Sequence, residues 1–253
     1  MPKQGFCEQF RESMIVNSRR VYDSCATKDY LENYRCYFTE SNQAIIDQST
    51  SVRPRAVSII DVDINVEPIS FRKGFFSIEQ NFFFDVGMDV SFSKTNSSLN
   101  SLCIFSKNST MFGSDSNTKI FSSDSNLQQS FGNLPRAVVQ VSDPIILDSS
   151  FNDVTYADDL GKIPVVPDKI VDYFGGPLSY LNVSKYVNVT MGLFSITHLE
   201  RDVQMLVPSY DFGRPTKECN SGIDSKDEFN QMNFPLDSFF PPLGSFCSVE
   251  VNR

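Results

Sequence analysis

The chain has 253 residues, a formal net charge of -9, and 23 phenylalanines beside no tryptophan. That length supports one large β-domain or two smaller ones, with a core that needs neither metal nor disulfide. Its basic residues form only pairs, such as Arg19-Arg20, Arg53 with Arg55, and Arg72-Lys73, whereas a face that tracks phosphates needs a cluster, so nucleic acid is excluded as the expected partner.

The opening Met1-Pro2-Lys3-Gln4-Gly5 leads into charged and polar residues. It lacks the apolar stretch of about 7–15 residues that a secretory signal requires, and no run in the chain reaches the roughly 20 residues of a membrane span. The expectation is synthesis in the cytoplasm without a signal peptide and without a transmembrane segment. Residues 1–50 read as an amino-terminal arm with short helices. Phe6, Phe10 and Met14 fall at helical spacing within Gln4–Val16, and Glu40–Asp47 reads as another short helix. Between them, residues 17–38 are rich in aromatics and charges and show no clean period.

From Ala56 a β pattern takes over. Ile60, Val62, Ile64 and Val66 alternate with Asp61, Asp63, Asn65 and Glu67 until Pro68. Asp61-x-Asp63-x-Asn65 matches the first acidic positions of a calcium loop, but Val66 stands where that loop needs glycine and no terminal glutamate follows, so a wet strand face is the better reading. The strongest strand is Phe82–Phe92, apolar at every even position. Ser93–Ser101 reads as a polar loop, Leu102–Ser106 as a short strand, and residues 108–133 as turns with strands near Thr110–Phe112 and Lys119–Phe121. Ala137–Val141 and Ile145–Leu147 read as strands, and residues 148–181 as a long connection broken by Pro164, Pro167 and Gly175-Gly176-Pro177. Tyr186–Ile196 is a strand whose phase slips at Phe194, with Gly192 a candidate bulge. Val203–Val207 is another apolar run, and residues 208–253 form an irregular tail with Pro215, Pro235 and Pro241-Pro242.

The fold class expected from this pattern is mainly β: an antiparallel β-sandwich or jelly-roll-like domain over residues 51–207, with long loops, the arm before it and the tail packing on the core or a neighbour.

Specific chemistry is sparse. His198 is the single histidine and has no nucleophile elbow near it in sequence, which favours a structural role over a triad. A glycosidase-like carboxylate pair meets only in the fold, and the usual glycan-stacking tryptophan is missing. No glycine-rich phosphate loop occurs. The sequons at Asn96, Asn108, Asn182 and Asn188 follow simply from Ser/Asn richness. Six cysteines lie scattered without a close pair, against a zinc site, and Cys103 within Leu102-Cys103-Ile104-Phe105 reads as a small buried hydrophobe. Neither a metal nor a cofactor is expected; the acidic charge permits cation-bridged association, but no motif supports calcium.

Four blocks together carry a resemblance: Asn17-Ser-Arg-Arg-Val-Tyr-Asp-Ser-Cys25, Leu31-Glu-Asn-Tyr-Arg-Cys-Tyr-Phe-Thr39, Val207-Pro-Ser-Tyr-Asp-Phe212 with Lys217-Glu-Cys219, and Phe234-Pro-Leu-Asp-Ser-Phe-Phe-Pro-Pro242. The chain resembles an uncharacterised family of proteins from spore-forming clostridia, over most of its length. Members carry further cysteines where this sequence has Tyr30 and Gly213, so a shared cross-link or metal site is in doubt here. The resemblance brings no active site. It implies a clostridial source and deposition on the spore surface from the mother cell, or release by lysis.

The function expected is non-enzymatic: a structural protein that self-assembles as a homo-oligomer into a filament, layer or shell of the spore or cell envelope. Candidate subunit contacts are Phe6, Phe10, Val21 and Tyr22 in the arm with Phe234, Phe239 and Phe240 in the tail, and Cys25, Cys36 and Cys219 are candidates for oxidation to disulfides. The alternative is a β-sandwich binding module for glycans or another surface polymer, and a third reading is a hydrolase built on unrecognised carboxylates.

Overall fold

A computed structural model describes residues 15–92, 95–115, 134–154, 164–181, 183–206, 218–219, 233 and 235. The protein is mainly β. In chain order the elements are β1 (Ile15–Tyr37), α1 (Glu40–Asp47), β2 (Ser51–Pro68), β3 (Phe75–Phe92), β4 (Thr95–Phe112), β5 (Arg136–Val141), β6 (Ile145–Asp153), α2 (Asp168–Tyr173), β7 (Lys185–Leu206) and β8 (Glu218–Cys219). They form one sheet in the order β2-β3-β4-β1-β7-β5, with β6 also on β7 and β8 on β1. Every described pairing is antiparallel except that of β8 with β1.

The sheet curls until β2 lies beside β5 and β6. Among the described residues no ladder closes that seam, which is bridged where the Ile59 amide donates to Asp143 Oδ1 at 3.0 Å. Pro54 and Pro68 sit on β2, an edge strand that tolerates their missing N–H groups.

Alternation places the core. The even positions Phe82, Phe84, Val86, Met88 and Val90 of β3 point inward with Cys103 of β4, Leu31 and Cys36 of β1, and Val187, Val189, Met191 and Leu193 of β7. Phe82 stacks on Phe105 at 5.7 Å between centroids, and Tyr34 meets Phe105 edge-on at 5.6 Å. Helix α1 packs the buried Ile46 against this cluster. Its first turn is capped by Thr39 Oγ1, which accepts from the Asn42 amide at 3.4 Å. Helix α2 and its flanks cover part of the opposite face, where Ile170 and Leu178 pack on Phe83 and Leu102.

Several expectations need correction. The stretch read as an arm contains β1, a 23-residue strand in the middle of the sheet. Its period is hidden by register shifts at Val21/Asp23 and Leu31/Tyr34, each of which exchanges the faces of the residues that follow. Asn33 lies within the second shift with φ 56°, in the left-handed region that Asn tolerates better than most residues. The polar loop at 93–101 and the fragments at 102–106 and 110–112 are largely one strand, β4, because its outward Ser and Asn side chains bond those of β3: Ser98 Oγ donates to Asp89 Oδ1 at 2.8 Å and Ser106 Oγ to Asn81 Oδ1 at 2.6 Å. The strand expected at Lys119–Phe121 lies outside the described residues. The connection 148–181 holds the end of β6 and helix α2. The runs at 186–196 and 203–207 fall within one strand, β7, up to Leu206, and the register shift near Gly192 lies on its partner β6 between Ile146 and Asp148. In β2 a shift between Ile59 and Asp61 sends Ile60 outward toward α2, while Val62, Ile64 and Val66 stay inward.

Candidate functional site

The inward face of the sheet is apolar at both ends and polar between. The large cluster around Phe82 and Leu193 is separated from a second one of Cys25, Phe76, Ile78, Met111 and Leu199. In register between them stand Thr27 and Asp29 of β1, Gln80 of β3, Lys107 and Ser109 of β4, and Ser195 and Thr197 of β7.

Lys107 is the hub. Its Nζ donates to Asp29 Oδ2 at 2.6 Å, Thr27 Oγ1 at 2.7 Å and Ser195 Oγ at 2.7 Å, and stands 5.2 Å from the Phe82 ring centroid. An ammonium has three N–H donors and all are used. The Lys107 and Asp29 side chains are only 13% and 8% exposed, and burial pulls the ammonium below its ordinary range despite the opposing pull of Asp29. Thr197 Oγ1 donates to Gln80 Oε1 at 3.1 Å and Gln80 Nε2 to Ser109 Oγ at 3.2 Å, completing the polar layer.

A lysine beside a serine is the pairing of Ser-Lys hydrolases. Here Ser195 is fully buried and its hydroxyl also meets Thr27 Oγ1 at 2.7 Å, so no carbonyl reaches it. The layer is suited to fixing the register of four strands, and its composition offers no open position for a substrate.

On the outward face His198 lies 3.7 Å from Glu200 Oε2. Glu200 is buried and is held by Arg136, through Nε at 2.9 Å and a shorter contact from Nη2, and by Arg19 at 3.7 Å. The cluster ties β1, β7 and β5 together. Burial depresses the imidazole below its ordinary value, with Arg136 adding to the effect and Glu200 opposing it. Ser24 stands opposite His198 in register, yet among the described residues no hydrogen bond joins them, and Ser24 instead caps Asp23 through its amide.

Asp85, on the same side of the sheet as α2, accepts from Asn100 Nδ2 at 2.9 Å and Tyr173 OH at 3.1 Å through Oδ2, while its buried Oδ1 has no partner among the described residues. Burial raises its carboxyl above the ordinary range against both hydrogen bonds and the nearby Arg55. At the end of β2, β3 and β4 a groove of about 570 Å³ is lined by Ser51, Arg53, Asp89, Ser91, Asn96 and Ser98.

Of the residues expected from sequence to make subunit contacts, Val21 is 49% exposed and Tyr22 is half-buried beneath Arg20, 5.1 Å from its ring centroid. Phe6, Phe10, Phe234, Phe239 and Phe240 lie outside the described residues. Cys25 is disulfide-bonded, whereas Cys36 and Cys103 are free buried thiols. The backbone of Cys219 pairs with Thr27. Asp61 of the calcium-like motif is engaged by Lys169, and among the described residues no three His, Cys, Asp or Glu side chains gather to hold a metal. Nor, among those residues, is any helix long and apolar enough to cross a membrane.

Lys107 and Asp29 were not singled out by sequence. The available signal was the inward phase of Cys103, Phe105 and Lys107, which puts a charge where the alternation requires an apolar residue. Comparison with family models, curated proteins and solved structures gave no match.

Proposed function

We propose that this chain is a non-enzymatic structural protein that joins copies of itself into a filament, layer or shell, and that its place is a spore or cell envelope. The observation that carries this reading is β8. This two-residue strand from the carboxy-terminal part adds in parallel to the edge of β1 at Ala26 and Thr27, on the side where β4 pairs only further along, at Cys36 and Tyr37. The fold therefore already uses strand addition by a segment remote in sequence. The same segment delivered to β1 of a neighbour would link copies through main-chain hydrogen bonds. The interior supports the same reading, since its lysine layer is saturated by its own neighbours and its aromatic core is packed.

The test is light scattering and negative-stain electron microscopy of the full chain over a concentration series, with and without reductant and chelator. Regular polymers or discrete oligomers that grow with concentration are expected. Uniform monomers under every condition overturn the reading.

A second reading rests on the groove at the end of β2, β3 and β4. Arg53, Asp89, Asn96 and the serines around them are hydrogen-bonding groups of the kind that engage polyhydroxylated polymers. A glycan array with saturable binding abolished by Arg53→Ala, from a protein that stays monomeric, would favour a binding module instead.

A further inference from the structure

Cys36 of β1 and Cys103 of β4 are direct partners in the ladder that joins those strands. Both thiols are free and both are buried, at 2% and 0% exposure, within the same apolar cluster. The neighbouring Cys36 thiol and burial together raise the Cys103 thiol well above its ordinary range. Directly opposed residues of an antiparallel ladder have Cα atoms about 4.5 or 5.5 Å apart, according to whether the pair exchanges hydrogen bonds. Both separations fall inside the window of roughly 4.4–6.8 Å that a disulfide spans.

Their position gives the pair a consequence. Among the described residues the β1–β4 ladder consists of Cys36 with Cys103 and Tyr37 with Leu102. It is the main-chain link between the β2-β3-β4 half of the sheet and the half built on β1 and β7. Below it the two strands are held by side chains, through Lys107 to Asp29 and Thr27 and through the Phe112 amide to Asp23 Oδ2 at 3.1 Å.

We propose that Cys36 and Cys103 form a redox-dependent cross-strand lock, reduced during synthesis and closed to a disulfide in an oxidising setting. The oxidant is a small-molecule disulfide such as oxidised glutathione. One cysteine thiolate attacks it, giving a protein–glutathione mixed disulfide and one glutathione thiol. The second cysteine then displaces the other glutathione, so that one S–S bond forms, one breaks, and two thiol protons end on two glutathione molecules. Because both sulfurs are buried and the Cys103 thiolate is disfavoured, closure belongs to folding or to local opening of the junction, and the closed bond resists reduction once packed. The inference is independent of self-association.

The experiment refolds the full chain from the reduced, unfolded state in a reduced/oxidised glutathione couple, quenches with an alkylating agent, and maps peptides without reduction. Cys36 and Cys103 fall in separate tryptic peptides, residues 36–55 and 95–107, each with one cysteine. The expected result is those two peptides joined, lighter than their sum by two hydrogen masses. The thermal midpoint should stand roughly 5–15 °C above that of protein with this bond open, a rise that Cys103→Ala does not show under the same oxidation. Recovery of both peptides as alkylated thiols, as glutathione adducts, or joined to other cysteines overturns the pairing. A joined pair without a rise in midpoint overturns its role as a lock.

Discussion

Replacing Lys107 with Met asks whether the polar layer is a structural necessity. Met keeps the length of the side chain and its packing beside Phe82 but removes all three donors that reach Thr27, Asp29 and Ser195. Thr27 and Ser195 can still bond each other, being 2.7 Å apart. Asp29, a buried carboxylate, keeps the hydroxyl of Thr27 at 3.2 Å but loses the ammonium. Breaking a buried pair from one side costs about 3–5 kcal/mol, a large part of the roughly 5–15 kcal/mol that holds a domain together. The double variant Lys107→Met with Asp29→Leu removes the buried carboxylate as well. Leu at position 29 would face Leu193 in register and extend the larger apolar cluster, so the double variant should be more stable than Lys107→Met alone. Urea unfolding followed by far-ultraviolet circular dichroism gives the four corners of the cycle. The reasoning fails if Lys107→Met costs less than about 1 kcal/mol, the value of an exposed pair, or if the double variant is no better than the single.

The other outcomes concern the outward face and the first helix. Asp85 holds its proton longer when folded than when unfolded, so stability falls as pH rises from the ordinary aspartate value through the raised folded one. Asp85→Asn should remove that slope and match or exceed the wild type at pH 7, by on the order of 1 kcal/mol; superimposable stability–pH curves would refute the burial argument. His198 behaves oppositely in sign. Its folded value is depressed, so the unfolded chain takes up the proton first, and stability present above about pH 6.5 is lost as pH falls from there through the folded value. His198→Asn should flatten this limb, measured by urea unfolding between pH 5 and 8. Thr39→Ala should cost about 1 kcal/mol through loss of the α1 cap while Thr39→Ser retains it, and equal unfolding midpoints for both would show that the cap contributes nothing.

What the sequence revealed and what it hid have one physical origin, the parity of side chains along a strand. Phe82–Phe92 runs through β3 without a register shift, so its even positions stay inward and the alternation is plain. The short helix at Glu40–Asp47 was likewise legible, because its cap and its buried Ile46 are local. β1 was hidden because its two shifts exchange inward and outward positions, leaving no period that survives its length. The polar half of β4 was hidden for another reason: its outward side chains are satisfied by β3, which the residues of β4 alone cannot announce. The interior cluster depends on both effects, since Lys107 and Asp29 are 78 residues apart and meet only when β4 and β1 share one sheet.

The cysteines show how far parity reaches into chemistry. Counting by twos from Leu31 would put Cys36 on the face opposite the core. The Leu31/Tyr34 shift restores Tyr34, Cys36 and Phe38 to the inside, where Cys36 meets Cys103. Read alone, Cys103 is a small buried hydrophobe and Cys36 a candidate for oxidation with no partner in view. The backbone irregularity that obscured β1 in the sequence is therefore the feature that turns two separate thiols into a pair able to close.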